Sequence, residues 1–368
     1  MINDNVAKRA CTGREAAAPL RSLQAGRGVA ALLVLLFHEN RLFLSGKYFA
    51  TSPFGHLFDF GDAGVYFFFV LSGFIILHAH AGDIGRPRRL AGYVTKRVIR
   101  IYPFYLLVMA GIFVLYLLHP QFGSADDRDI WNIVSSLTLI SDGTQRPVLA
   151  VSWTLFHEIM FYALFAAAIW NARLGTLILA VWIGASLFFL NGSGRSGFFF
   201  SPLHLLFGMG MSINLWLRSD SRIPARTFAA LGTAAFLAIG IDKVYLGIIP
   251  GPILPLAYGA AAALAVLGLA RMESSGRMYL PAWLLLAGDA SYAIYLVHFP
   301  VLSELAKVLG GLVPRFVSFL ILMVFAAFAG CAAHLLVERP TIAYLRGRFA
   351  QPKRLTYGAA PGRSAAEG

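Results

Sequence analysis

The sequence predicts an all-α, polytopic membrane helix bundle of about ten transmembrane helices with both termini cytoplasmic. Of its 368 residues 58% are hydrophobic and 13% charged, with a mean hydropathy of +0.68. A soluble domain of this length carries far more charge. Repeated apolar runs approach or exceed the ~20 residues that cross ~30 Å of hydrocarbon. With a cytoplasmic N-terminus, the segments up to Arg27, 86–100, Arg173, 218–226, 271–277 and 339–363 hold 23 of the 31 Lys and Arg residues. That skew is the positive-inside pattern.

Ten spans follow in order: 27–45, 63–80, 101–119, 148–170, 174–190, 198–217, 227–246, 252–270, 283–303 and 316–337. The stretch 130–140 (IWNIVSSLTLI) is apolar but short, and reads as interfacial or re-entrant. An eleventh span there would invert everything downstream. Residues 1–26 form a cytoplasmic tail, 27–345 the transmembrane domain, and 346–368 a second cytoplasmic tail rich in Ala, Gly, Pro and Arg, a composition that predicts disorder. The first 26 residues contain Arg, Lys and Glu but no apolar core of a signal peptide, so the first span serves as an uncleaved anchor. Cys11 and Cys331 offer neither a disulfide framework nor metal spacing, and no metal is expected. The net charge of +13 is a topology signal. Its cations form no single patch on a soluble domain, so no nucleic-acid partner is expected.

Five segments could carry chemistry. In RGVAALLVLLFH, Arg27 and His38 are eleven residues apart with no charge between them. Eleven helical steps make three turns plus roughly 20°, so both face one way with the imidazole about 16 Å further along the axis. His38 could take a proton from a hydroxyl, while Arg27 at the cytoplasmic mouth holds a phosphate or thioester carrier. A positive-inside anchor and a buried, hydrogen-bonded histidine fit the pair equally well. Glu39 follows His38, but adjacent helical residues point apart.

The second segment, GDAGVYFFFVLSGFIIL (61–77), sets Ser72 and Gly73 inside an aromatic span, where a backbone or a ligand can approach closely. In TKRVIRIYPFY (95–105), Arg97 and Arg100 share a helix face and suit phosphates bidentately, or lipid headgroups. SWTLFHEIMFYALF (152–165) places Glu158 in an apolar run, with His157 beside it and Trp153 before it. A carboxylate there should face the bundle interior and have a partner. Glu158 and His38 both fall in the middle or outer half of their spans, so they can meet at similar depth. In DASYAIYLVHFP (289–300), Ser291, Tyr295 and His298 project near one another ahead of Pro300, which would perturb the helix. An interfacial Tyr/His belt is the plainer alternative.

In this order, R27-x10-H38, FFFVLSGF (67–74), KRVIRIYP (96–103), SWTLFHEIMFY (152–162), SYAIYLVH (291–298) and VERP (337–340) resemble the membrane acyltransferase-3 family of bacterial cell-envelope acyltransferases. WTL-x-x-E followed by FYALF looks most like the exopolysaccharide-acetylating branch. The resemblance implies ten core helices, an acyl-CoA donor entering from the cytoplasm, and transfer to a sugar hydroxyl on the outer side. His38 matches the family's essential histidine and Arg27 its basic partner. Arg97 and Arg100 match arginines associated with the CoA phosphates, and Glu158 the acidic residue of the fourth motif. Ser72, Trp153, Ser291 and His298 are then substrate-side candidates. Two positions depart from the pattern. Tyr66 stands where the family usually has Asp, with Asp62 four residues earlier, and Phe156 and His157 stand where the branch commonly has Asn.

What the resemblance implies is an integral-membrane O-acyltransferase of the bacterial cytoplasmic membrane. It would use acetyl-CoA, or another acyl-CoA, to modify an exported polysaccharide or a lipid-linked oligosaccharide. Its other partners would be membrane lipids. The alternatives are a transporter or flippase for a lipid-linked sugar, which often shows internal repeats, and a structural subunit of a polysaccharide-export assembly. No repeat is found.

Overall fold

The computed structural model describes residues 20–119, 126–218, 224–275 and 278–349, and within them the chain is helical with no strand. The expected N-terminal tail up to residue 19, Cys11 and the expected disordered tail from 350 onward lie outside the described residues. Helix α1 (Arg21–Leu44) starts six residues before the expected span. Leu20 cannot cap it, and Glu273, distant in sequence, does so instead. The Glu273 carboxylate accepts from the backbone N–H of Arg21 (2.6 Å) and Ser22 (2.9 Å) and from the Ser22 hydroxyl (2.6 Å). These donors are among the first N–H groups that a helix cannot satisfy itself.

A 3₁₀ segment, Leu57–Ala63, leads into α2 (Gly64–His80). Helix α3 (Leu90–Leu118) begins eleven residues before the expected span and runs through Pro103, so Arg97 and Arg100 are already helical. Helix α4 (Ile130–Thr138) is capped by Asp129 and exposes Ile130 and Trp131. Its nine residues rise only about 13 Å, as an interfacial segment would. Helices α5 (Trp153–Trp170) and α6 (Ala172–Ala185) form a hairpin around Asn171, whose side chain caps the N–H of Leu174.

The expected span 198–217 divides at Pro202 into α7 (Gly194–Phe199) and α8 (Leu203–Arg218). Helices α9 (Ala225–Ile241) and α10 (Leu254–Ser275) pack on each other. The expected span 283–303 is also broken. Helix α11 (Ala282–Asp289) stops at Ala290, and α12 (Ser291–Leu309) continues through Pro300 without ending. Helix α13 (Arg315–Ala333) passes through a π turn, His334–Glu338, into α14 (Arg339–Phe349).

Among the described residues, nine helical stretches are long and apolar enough to cross a membrane. The remaining expected span, the first of the ten, is α1, absent from that set because it carries Arg21, Arg27, Glu39 and Arg41. It is an interior helix, packed on α2, α11, α12 and α13. Close approach elsewhere needs glycine. A Cβ on Gly73 would meet the Phe207 carbonyl, and one on Gly210 the Val70 carbonyl, so α2 and α8 touch backbone to backbone.

Alternating helix direction sorts the polar groups to two ends. The α1 N-terminal end gathers Arg27, His80, Asp83, Arg97, Arg100 and Glu338. At the other, Lys243 bonds both oxygens of Asp62 (2.5 and 2.6 Å), and Asn40 donates to Asp59 (3.1 Å) and to the Gly55 carbonyl (2.9 Å).

Candidate active site

A cavity of about 160 Å³ opens between α1, α2, α3, α5 and α12. Arg27, Arg97 and Arg100 stand in its wall with Ser72, Glu158 and Ser291. Three arginines drawn from two helices thus share one cavity with one carboxylate. They are held differently. Arg100 donates from Nη1 to Glu338 Oε1 at 2.5 Å, and Glu338 is fully buried with its other oxygen 2.7 Å from His334 Nδ1. Arg97 lies over the rings of Tyr93 and Tyr162, 5.7 and 5.5 Å from their centroids. For Arg27, no hydrogen bond or ion pair is made among the described residues. Its charge is therefore available to an anion.

Glu158 stands opposite. Ser72 donates to its Oε1 at 3.0 Å, and the Tyr162 hydroxyl, one turn along α5, donates to the same oxygen. Ser72 thus serves the site while Gly73, its neighbour, serves helix packing. Ser291 is fully buried, lines the cavity and has an Oγ with no partner. Such an orphan is expensive unless something else bonds it.

His38 and His298 form a pair beyond the cavity wall. His298 is fully buried. Its Nδ1 lies 3.0 Å from the Ile294 carbonyl and its Nε2 lies 3.2 Å from His38 Nδ1. His38 Nδ1 is also 2.9 Å from the Val34 carbonyl. Carbonyl oxygens only accept, so both histidines carry their proton on Nδ1 when neutral. His298 Nε2 then presents a lone pair to His38 Nδ1–H. His38 Nε2 is left as a free base, oriented by its partner. Glu39 is buried and bonds neither imidazole nitrogen.

The expected meeting of Glu158 with His38 is not made: Glu158 bonds Ser72 and Tyr162, His38 bonds Val34 and His298. Helix direction explains the miss. Thr154 Oγ1 stands 2.9 Å from the Tyr295 hydroxyl, fixing α5 against α12 one turn short of His298. Glu158 is a further turn back toward the arginines. Between the two clusters stands Tyr295, whose hydroxyl donates to the Val151 carbonyl (2.7 Å) and whose ring lies 6.0 Å from that of His298. Trp153 does not line the cavity and stands edge-on to His157, 5.9 Å between rings. Tyr162 and Tyr292 line the cavity but are absent from the expected site, and Tyr295, expected near Ser291 and His298, lines it too. Helical spacing could have found Tyr162, which follows Glu158 by four, whereas Tyr292 follows Ser291 directly and carries no such signal.

An apolar helix bundle with three arginines in one cavity and a pair of interior imidazoles defines a multi-pass membrane protein. The chain belongs to the acyltransferase-3 family, matching its acyltransferase domain over residues 20–335, and is an acyltransferase. It is similar to the exopolysaccharide production protein ExoZ of Rhizobium meliloti (strain 1021), 32% identical over 86% of this chain and 98% of that protein. It is also similar to the acyltransferase MdmB of Streptomyces mycarofaciens, 27% identical over 79% of this chain and 81% of that protein. No solved structure matches. Family membership sets aside the transporter and structural-subunit alternatives.

Proposed function

We propose that this enzyme moves an acyl group, acetyl in the first instance, from acyl-CoA to a hydroxyl of an exported or envelope carbohydrate. The donor would enter from the cytoplasmic side of the bacterial inner membrane, where both termini would also lie. The observation that carries this reading is the shared direction of α1 and α12: each leads from the arginine cavity to the His38–His298 pair. CoA has that form, phosphates at one end and a thioester at the other.

In this reading Arg27, Arg97 and Arg100 hold the phosphates, Arg27 with no protein anion to displace. Ser291 and Glu158 face the intervening part of the donor. His38 Nε2 takes the proton of the acceptor hydroxyl. The hydroxyl oxygen bonds to the thioester carbonyl carbon, the C–S bond breaks, and His38 returns the proton to the leaving thiolate. His298 holds the His38 ring in the working tautomer. The resemblance of the chain to a protein named for exopolysaccharide production supports a carbohydrate acceptor.

The test is transfer of radiolabelled acetyl from acetyl-CoA to envelope polysaccharide in membranes carrying the enzyme. Label in the polysaccharide with wild type and none with His38→Ala is the expected result. Undiminished acetylation by inserted His38→Ala overturns the assignment.

A further inference from the structure

His80 and Asp83 lie at the end of α2, next to the cavity but outside its wall. His80 is buried, 4% exposed, with Nδ1 2.9 Å from Asp83 Oδ2 and Nε2 3.1 Å from Arg97 Nη2. The Tyr93 ring meets His80 edge-on at 5.0 Å, and the Tyr93 hydroxyl donates to the Tyr162 carbonyl at 3.2 Å. Neither the expected site nor the family motifs include His80 or Asp83.

Protonation follows from the partners. An ionised carboxylate only accepts, so His80 Nδ1 carries a proton. A guanidinium only donates, so His80 Nε2 must present a lone pair. The two demands agree on one neutral tautomer. A histidine without Asp83 could place its proton on Nε2, where it would oppose an Arg97 N–H. Asp83 therefore fixes the tautomer, the tautomer fixes which edge of Arg97 is occupied, and Tyr93 and Tyr162 fix the guanidinium plane. Arg97 Nε is buried with no partner, so the aromatic slot and His80 hold this side chain without neutralising it. Glu338 by contrast sits directly on Arg100.

We propose that Asp83 and His80 form a positioning relay that sets Arg97 as an uncompensated phosphate-binding cation. The relay rests on the reading of the cavity as the acyl-CoA site. Neither residue touches substrate; both act through Arg97.

The experiment measures binding of CoA and of pantetheine, which lacks the nucleotide phosphates, to the full chain in nanodiscs. His80→Leu and Asp83→Leu should weaken CoA about tenfold and fivefold and leave pantetheine unchanged, the loss expected for one hydrogen bond that orients a charged group. His80→Gln, whose side-chain carbonyl can accept from Arg97, should return CoA binding to within about twofold of wild type. Equal weakening of CoA and pantetheine by His80→Leu would mean general distortion and overturn the relay. CoA binding unchanged in His80→Leu but lost in Arg97→Ala would also overturn it, with the donor site left standing. CoA binding unchanged in Arg97→Ala would remove the donor-site reading and the relay with it.

Discussion

His298 Nε2 faces His38 Nδ1 across 3.2 Å, joining two helices 260 residues apart in sequence through a pair of imidazoles. Each Nδ1 is also within hydrogen-bond distance of the carbonyl one turn earlier in its own helix. His298 is thus held through both ring nitrogens, and His38 through Nδ1 alone. A base oriented in this way can accept a proton without first rearranging.

His38→Ala should remove detectable transfer, since a general base typically contributes ~10²–10⁴-fold. His298→Ala should lower kcat about 10- to 100-fold and leave the KM for acetyl-CoA unchanged, because His298 touches His38 and not the arginine cavity. Steady-state kinetics in detergent or nanodiscs separate the two. A His298→Ala enzyme with wild-type kcat would remove His298 from the mechanism.

Arg27 and Arg100 should behave differently when truncated. Arg100→Ala leaves the fully buried Glu338 carboxylate with His334 alone and should destabilise the protein by about 3 kcal/mol. Arg27→Ala strands no partner and should raise the KM for acetyl-CoA with little loss of thermal stability. The double variant Arg100→Ala, Glu338→Leu should recover stability but not donor affinity. Thermal unfolding followed by tryptophan fluorescence, beside donor kinetics, checks all three.

Tyr162→Phe and Ser72→Ala each remove one donor from Glu158 Oε1. Each should cut transfer several-fold, and the pair should cost less than the product of the singles, because both act on one oxygen. Fully independent effects would show that Glu158 is not their common target.

Glu273→Ala removes the cap of α1 and should lower stability by about 1 kcal/mol. Glu273→Gln, which retains one accepting oxygen, should recover part of that loss. A cysteine cross-link between α1 and α10 that restores stability to Glu273→Ala would confirm that the cap acts by seating α1.

Much of this was legible in the sequence. Apolar runs give the long helices, because a membrane span must satisfy its own backbone. Arg27, Ser72, Arg97, Arg100, Glu158 and Ser291 all reach one cavity. Other features were not legible, for physical reasons. The break at Ala290 follows a Gly288–Asp289 step that by itself need not end a span, and tertiary packing sets it: a Cβ on Gly288 would strike the Gln24 carbonyl of α1. The Arg100–Glu338 pair spans 238 positions, and nothing local to either residue names the other. The depth of Glu158 relative to His38 depends on where α5 and α12 touch, which Thr154 and Tyr295 decide. Periodicity assigns a face, but contact between helices sets the level.

The burial of α1 among later helices bears on how the protein is made. The helix with Arg27 and His38 is too polar to count among the apolar spans. It packs early on α2 and the 3₁₀ segment before it, while its partners α11, α12 and α13 begin at Ala282. In a nascent chain α1 can therefore seat on α2 early, while its α11–α13 face stays open to lipid, or to the insertion machinery, until nearly all of the remainder has been synthesised. One face of this helix is covered early and the other only at the end of synthesis. A chain cut short anywhere before α12 lacks His298 and leaves Arg27 and Glu39 without their final setting, a mark that membrane quality control can read.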